Sequence, residues 1–239
     1  MKYFQTLVII CTLSMAGKTY AQKVETGQEF LEIAKIADVY AHVTGMSFTI
    51  SFSYADSVAP LVILDSSSVF YQLSSGKIFM INNEMEVLHA GNYAIYLDKI
   101  DSNINVNNTS PPQQVIQLPF MDSIFRVAHV AGMRVTEINN SMRQLSIFFN
   151  PGSFYHGYQM LYDTNTALIK QIKYYTESNG MYDMAANSVL GITINFSNYQ
   201  FSIPDQALFN ENRYIYILNN AVYLQPAYHS FNLQTKITK

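Results

Sequence analysis

Cysteine, tryptophan and charge are what this chain does without. Its one cysteine, Cys11, falls inside an apolar run at the N-terminus, and tryptophan is absent. A core therefore has to do the work that disulfides do in many exported proteins, and 239 residues are enough to build one. Charged residues make up 13% of the chain, about half the usual ~25%. The 14 Lys and Arg, against 17 Asp and Glu, form no basic stripe, which argues against nucleic acid and anionic lipid surfaces as partners. Beyond the N-terminal run, no apolar segment is long enough to span a bilayer.

Asn, Ser, Thr, Gln and 18 tyrosines take the place of charge. Neutral polar residues alternating with aromatics suit strands with one wet face. At the N-terminus, Lys2, the apolar run Phe4–Leu13 and the small-residue pattern Thr19-Tyr20-Ala21 predict a secretory signal peptide over residues 1–21. Residues 22–239 are then expected to form one exported, soluble domain with no cysteine.

The architecture is most legible in Gly157–Tyr175. Tyr158, Met160 and Tyr162 share one face of an extended segment, Asp163-Thr164-Asn165-Thr166 supplies turn chemistry, and Leu168, Ile169, Ile172, Tyr174 and Tyr175 return. That is a β-hairpin pattern, and much of the chain repeats it. Glu25–Val43 differs: Phe30, Ile33, Ala34, Ala37, Tyr40 and Ala41 recur at helical spacing, with Thr26 to cap the start and Gly45 to end it. Met46–Tyr54 then alternates strictly, Phe48, Ile50, Phe52 and Tyr54 against Ser47, Thr49, Ser51 and Ser53. Short strands follow to Val106, with Asp65-Ser66-Ser67-Ser68 either a turn or a bend in one long strand. Pro111-Pro112 marks a linker, and Pro119–Ala131 reads as a second helix ending at Gly132. Strands resume to the C-terminus, broken by an excursion around Pro204 with a helical turn near Gln206–Phe209. The expected fold is mainly β: an antiparallel meander of about 11 strands and two helices.

Chemistry is sought and mostly not found. His42, His89, His129, His156 and His229 show no metal-ligand spacing, no G-x-S-x-G elbow accompanies the serines, and no glycine-rich phosphate loop occurs. Glu84 and Glu86 sit two apart on a predicted strand and point to one solvated face, while Asp98 and Asp101 bracket a turn. The expectation is a protein that is not an enzyme and needs no cofactor or metal. What remains is apolar. Phe48, Phe52, Tyr54, Phe70, Phe79, Met80, Met85, Phe148, Met160 and Tyr162, with Phe125 from the second helix, are the candidates to line a ligand-binding groove; the same residues also suit an ordinary core. The 11 methionines fit a surface that accepts variable apolar partners and equally an irregular core.

The order of elements, with the Met46–Tyr54 strand after the first helix and the YDTNTALIKQI hairpin, resembles the LolA/LolB-like family of outer-membrane lipoprotein carriers. The resemblance implies an unclosed antiparallel β-barrel (half-barrel) with two helices covering its concave face. It implies a lipid or lipoprotein acyl chain as ligand, and a location in the periplasm or at the outer membrane of a Gram-negative bacterium. The chain departs from the carriers in having no tryptophan, and no arginine in it can be matched to their helix-locking arginine. A second expectation uses the same scaffold as an envelope adaptor, binding a protein partner along an open sheet edge.

Overall fold

The computed structural model describes residues 28–41, 43–60, 62–108, 130–185, 188–202, 204–219 and 221–236. One α-helix is described, α1 (Gln28–Ala41). The strands are β1 (Met46–Asp56), β2 (Ile63–Ser74), β3 (Lys77–Ile81), β4 (Met85–Ala90), β5 (Tyr93–Asp98), β6 (Asn103–Asn108), β7 (Val130–Asn139), β8 (Met142–Phe149), β9 (Tyr155–Asp163), β10 (Ile169–Glu177), β11 (Val189–Gln200), β12 (Ile215–Leu218), β13 (Ala221–Leu224) and β14 (Asn232–Lys236). Twelve of them form one sheet in the order β14-β6-β5-β4-β3-β2-β1-β11-β10-β9-β8-β7, and β12 with β13 makes a separate hairpin. The sheet does not close: β14 and β7 are its two edges. A mainly β, unclosed sheet is the architecture expected from the sequence.

Of the two forms expected for Asp65-Ser66-Ser67-Ser68, the stretch within one long strand is the one found: it lies inside β2, where Ser67 faces Phe52 and Ser68 faces Ser51 of β1. The proposed second helix falls largely outside the described residues, and its last two residues, Val130 and Ala131, open β7. The meander is antiparallel except at its end, where β14 pairs with β6 in parallel, because the chain returns to that edge through a segment that crosses the sheet.

Register explains why alternation reads so clearly in β1. Residues directly opposite in paired strands share a face. One row runs Phe52, Ile194, Ile172, Met160, Leu145 and Val135 across β1, β11, β10, β9, β8 and β7, apolar throughout. The row beside it, Ser51, Asn195, Gln171, Leu161, Gln144 and Thr136, lies on the opposite face and is almost entirely polar. Slipping one strand by one residue would expose its apolar set, so register is strongly specified here.

The apolar side changes beyond β2. Phe79, Leu88, Ile95 and Val106 are successive partners across β3 to β6, and Phe79 faces Gln72 of β2, whose neighbours Tyr71 and Leu73 belong to the helix side. The molecule therefore has two cores on opposite faces of one sheet. The larger one lies beneath α1 and gathers Ile36, Tyr40, Phe48, Met160, Ile172 and Ile194 among others. The smaller one lies beneath the C-terminal segment, where Phe209, Tyr214 and Ile215 cover Phe79, Leu88 and Ile95.

Candidate functional site

α1 lies across one end of the strands, and the contacts that seat it follow from its sequence. Ile36 and Tyr40 are buried and Ile33 and Val39 half-buried against the sheet, while Phe30 and Ala34, expected on the inner stripe, are exposed. Polar side chains then fix the angle. Arg143 Nη1 of β8 donates to Glu32 Oε1 at 2.7 Å, Tyr162 of β9 donates its hydroxyl to Glu32 Oε2 at 3.0 Å, and Lys35 Nζ donates to the Thr164 carbonyl at 3.0 Å. Burial, followed by the Glu32 carboxylate, pushes the Tyr162 hydroxyl far above its ordinary range, so it stays a donor. Arg143 thus holds the helix to the sheet. Sequence reasoning missed it because Glu32 and Arg143 are 111 residues apart and only the fold makes them neighbours.

The C-terminal end of α1 is plugged by aromatic rings. Phe48 stacks on Tyr71 with centroids 5.3 Å apart and lies 5.3 Å from Tyr199 and 6.1 Å from Phe196, while Tyr40 meets it edge-on at 6.3 Å. Tyr40 accepts from the Ile169 N–H at 3.1 Å, and Tyr199 donates to the Ile169 carbonyl at 2.8 Å. With the Tyr199 proton so engaged, the 2.6 Å contact between the two hydroxyls requires Tyr40 to donate to Tyr199. The pairing of β10 with β11 begins only at Gln171, so Ile169 takes no part in that ladder. Burial pushes the Tyr40 hydroxyl up to about 12. This part of the helix-side face is a core.

Toward the other end of the strands the same face opens. Phe52, Tyr54, Leu64, Phe149 and Tyr155 are only half-buried there, and among the described residues no α-helix crosses them. The 3-10 turn Met181–Asp183 borders the opening, with the Tyr182 ring 5.6 Å from Tyr54. The result is a trough with a filled end under α1 and a half-exposed aromatic and aliphatic end beyond it.

Of the eleven candidates, the ten that lie within the described residues divide between the two faces. Phe48, Met160 and Tyr162 are buried on the helix side, and Phe52, Tyr54 and Met80 are half-buried on it; Phe125 lies outside the described residues. Phe70, Phe79 and Phe148 are on the opposite face: Phe70 pairs with Thr49, Phe79 is buried in the second core, and Phe148 pairs with Gly132. These three cannot share a groove with the rest. Alternation shows which residues of one strand share a face, but carries no parity from strand to strand through a turn. Met85, the further sequence candidate, is half-buried on the helix side in β4.

The carboxylate read as solvated proves structural. Glu84 is exposed in a turn, but Glu86 accepts from the Tyr214 hydroxyl at 2.7 Å and lies 3.1 Å from Lys99 Nζ and 3.8 Å from Arg213 Nη2. The Arg213 guanidinium sits 5.4 Å from the Phe79 ring centre and 5.1 Å from that of Tyr214. This cluster clamps the C-terminal segment onto the sheet. His89 pairs through Nε2 with the Tyr96 hydroxyl at 2.9 Å, and burial lowers its pKa, so it is neutral near pH 7. Among the described residues no three His, Cys, Asp or Glu come together as metal ligands, and no helix is long and apolar enough to cross a membrane.

No known family profile matches the sequence, and no curated protein matches it. Solved structures similar to it include a LolA superfamily protein from Nitrosomonas europaea, 9% identical over 75% of this chain and 98% of that one, with a TM-score of 0.34. A domain named for outer membrane lipoprotein sorting, from Vibrio parahaemolyticus, is 12% identical over 77% of this chain and 97% of its own, with a TM-score of 0.35. An uncharacterised conserved protein from Thermus thermophilus is 5% identical over 85% of this chain and 99% of its own, with a TM-score of 0.46.

Proposed function

We propose that this chain is an exported binding protein of the Gram-negative cell envelope that holds an acyl chain, of a lipid or a lipoprotein, in the open part of the helix-side trough. The carrying observation is the unequal cover of that face: tightly packed under α1, half-exposed and aromatic around Phe52, Tyr54, Leu64, Phe149 and Tyr155. A flexible chain of methylenes suits such a surface, gaining ~0.8 kcal/mol for each methylene buried. Met181 and Met184 at its border add side chains that adapt to variable shapes. Binding, rather than catalysis, is the role these side chains support, since apolar burial needs no reacting group.

Displacement of a fluorescent fatty acid from the purified protein, together with native mass spectrometry, tests the reading. Wild-type protein is expected to bind, and Phe52→Asp to bind about tenfold more weakly, a change of roughly 1.4 kcal/mol. Absence of bound lipid together with absence of displacement would remove the proposal.

A second reading rests on β7. Most of its residues from Arg134 to Asn139 are exposed, and among the described residues it is an edge strand of the sheet, where a partner's strand can add. Ile138→Lys is expected to weaken recovery of an envelope protein while leaving acyl binding intact; the opposite pattern excludes edge pairing.

A further inference from the structure

The turns at the two ends of the sheet differ in chemistry. At the end under α1 they are polar, as turns ordinarily are: Ser75-Gly76, Asn140-Ser141 and Asp163–Thr166. At the open end three neighbouring connections carry exposed apolar side chains. Val58 is 89% and Val62 57% exposed in the β1–β2 loop, Ile63 begins β2 beside them, Tyr182 projects from the β10–β11 loop, and Phe154 from the β8–β9 turn.

These tips form one rim. The Ser57 N–H donates to the Val189 carbonyl at 3.0 Å, and Tyr182 donates its hydroxyl to Asp65 Oδ2 at 3.3 Å, so the first two loops are fastened together. Thr176 of β10 donates to the Phe154 carbonyl at 3.2 Å, which brings the third alongside. Charge on this rim has one sign. Residues 57–64, 150–154 and 178–188 include no lysine or arginine, while Asp56, Asp65, Glu177 and Asp183 stand in or beside them.

We propose that this rim docks on a zwitterionic phospholipid bilayer. Exposed apolar groups clustered on loop tips are suited to enter a soft interface, and apolar burial there supplies the attraction. The carboxylates choose the surface. They are repelled by anionic lipids, whereas the outermost charge of a zwitterionic headgroup is an ammonium, which they attract. The proposal rests on the trough reading in one respect: the rim borders the open end of the trough, so docking faces that opening toward the membrane.

Cosedimentation of the full chain with phosphatidylcholine vesicles, and with vesicles of phosphatidylcholine mixed with phosphatidylglycerol, tests it. Binding is expected to pure phosphatidylcholine and to fall in the mixture at low salt. The double variant V58D/V62D is expected to lose binding roughly tenfold, and because both side chains are exposed its urea midpoint should stay at the wild-type value. No binding to phosphatidylcholine, stronger binding to the mixture, or binding unchanged in the double variant overturns the proposal. Capture of an envelope protein by the rim in the absence of any vesicle binding overturns it as well. Fatty-acid displacement measured without vesicles keeps the two readings apart. Displacement without vesicle binding sinks only the docking proposal, and vesicle binding without displacement sinks only the trough.

Discussion

At the scale of single residues, hydrogen-bonding side chains hold α1 and the strand behind it. Removing the Tyr40 hydroxyl leaves the buried Ile169 N–H without its acceptor and the Tyr199 oxygen without its donor. Tyr40→Phe is therefore expected to cost about 1–2 kcal/mol in urea unfolding. Arg143→Ala strands a largely buried carboxylate at Glu32, whose side chain is 12% exposed. Because Arg143 itself is 33% exposed and partly screened, the expected loss is also modest, about 1–2 kcal/mol. Its clearer sign is faster amide exchange in α1 than in β9. Neither contact is legible in the sequence, since both join residues more than a hundred positions apart. The Asp163 turn, by contrast, is. Its carboxylate accepts from the Asn165 and Thr166 N–H groups at 2.9 Å, as the residue type predicts. The positive φ of this turn falls on Ala167.

At the scale of elements, two joints decide how the pieces are held. Gly45 follows α1 and was expected to end it, but the helix stops at Ala41 and the glycine serves a different need. A Cβ there would run into the Ser202 carbonyl oxygen and the Pro204 ring. Gly45→Ala is expected to destabilise by about 1–3 kcal/mol, read as a lower urea midpoint, because the strand exit after β11 has to move. The second joint is the C-terminal clamp. Glu86→Ala removes the acceptor of Tyr214 and the partner of Lys99 and Arg213. Limited proteolysis is expected to cut between residues 205 and 231 several-fold faster, with cleavage inside β8 to β11 unchanged. Strands were readable where alternation is strict, as in β1. The helix was readable by period and only in part by orientation: Ile33 and Tyr40 pack on the sheet as expected, Ile36 joins them, and Phe30 is exposed.

At the scale of the whole molecule, tyrosine makes the fold sensitive to alkali. Burial pushes Tyr40 and Tyr71 up to about 12, against 10.0 when unfolded. Above pH 10 the unfolded chain gives up these protons while the folded chain keeps them, so the folded state binds more protons and stability falls as pH rises. Their contribution is complete below pH 10 and is lost through pH 12, at about 1.4 kcal/mol per pH unit for each tyrosine. Urea midpoints that hold steady up to pH 10 and drop beyond it, together with late ionisation at 295 nm, are the expected result. A midpoint flat to pH 12 would contradict it.

By itself the sequence determined the local conformations: strand periodicity in β1 and β9, turn chemistry at Asp163, and the helical period before Gly45. These are set by neighbours within a few residues, and composition alone shows that neutral polar faces must meet apolar ones. Tertiary structure decided which apolar face goes with which. It divided Phe79 from Phe52, joined Glu86 to Tyr214, Lys99 and Arg213, and turned Arg143 toward Glu32. The physical reason is that cross-strand register and sidedness are fixed by pairings between segments distant in the chain, and hydrophobic pattern is indifferent to which partner supplies the other half of a core.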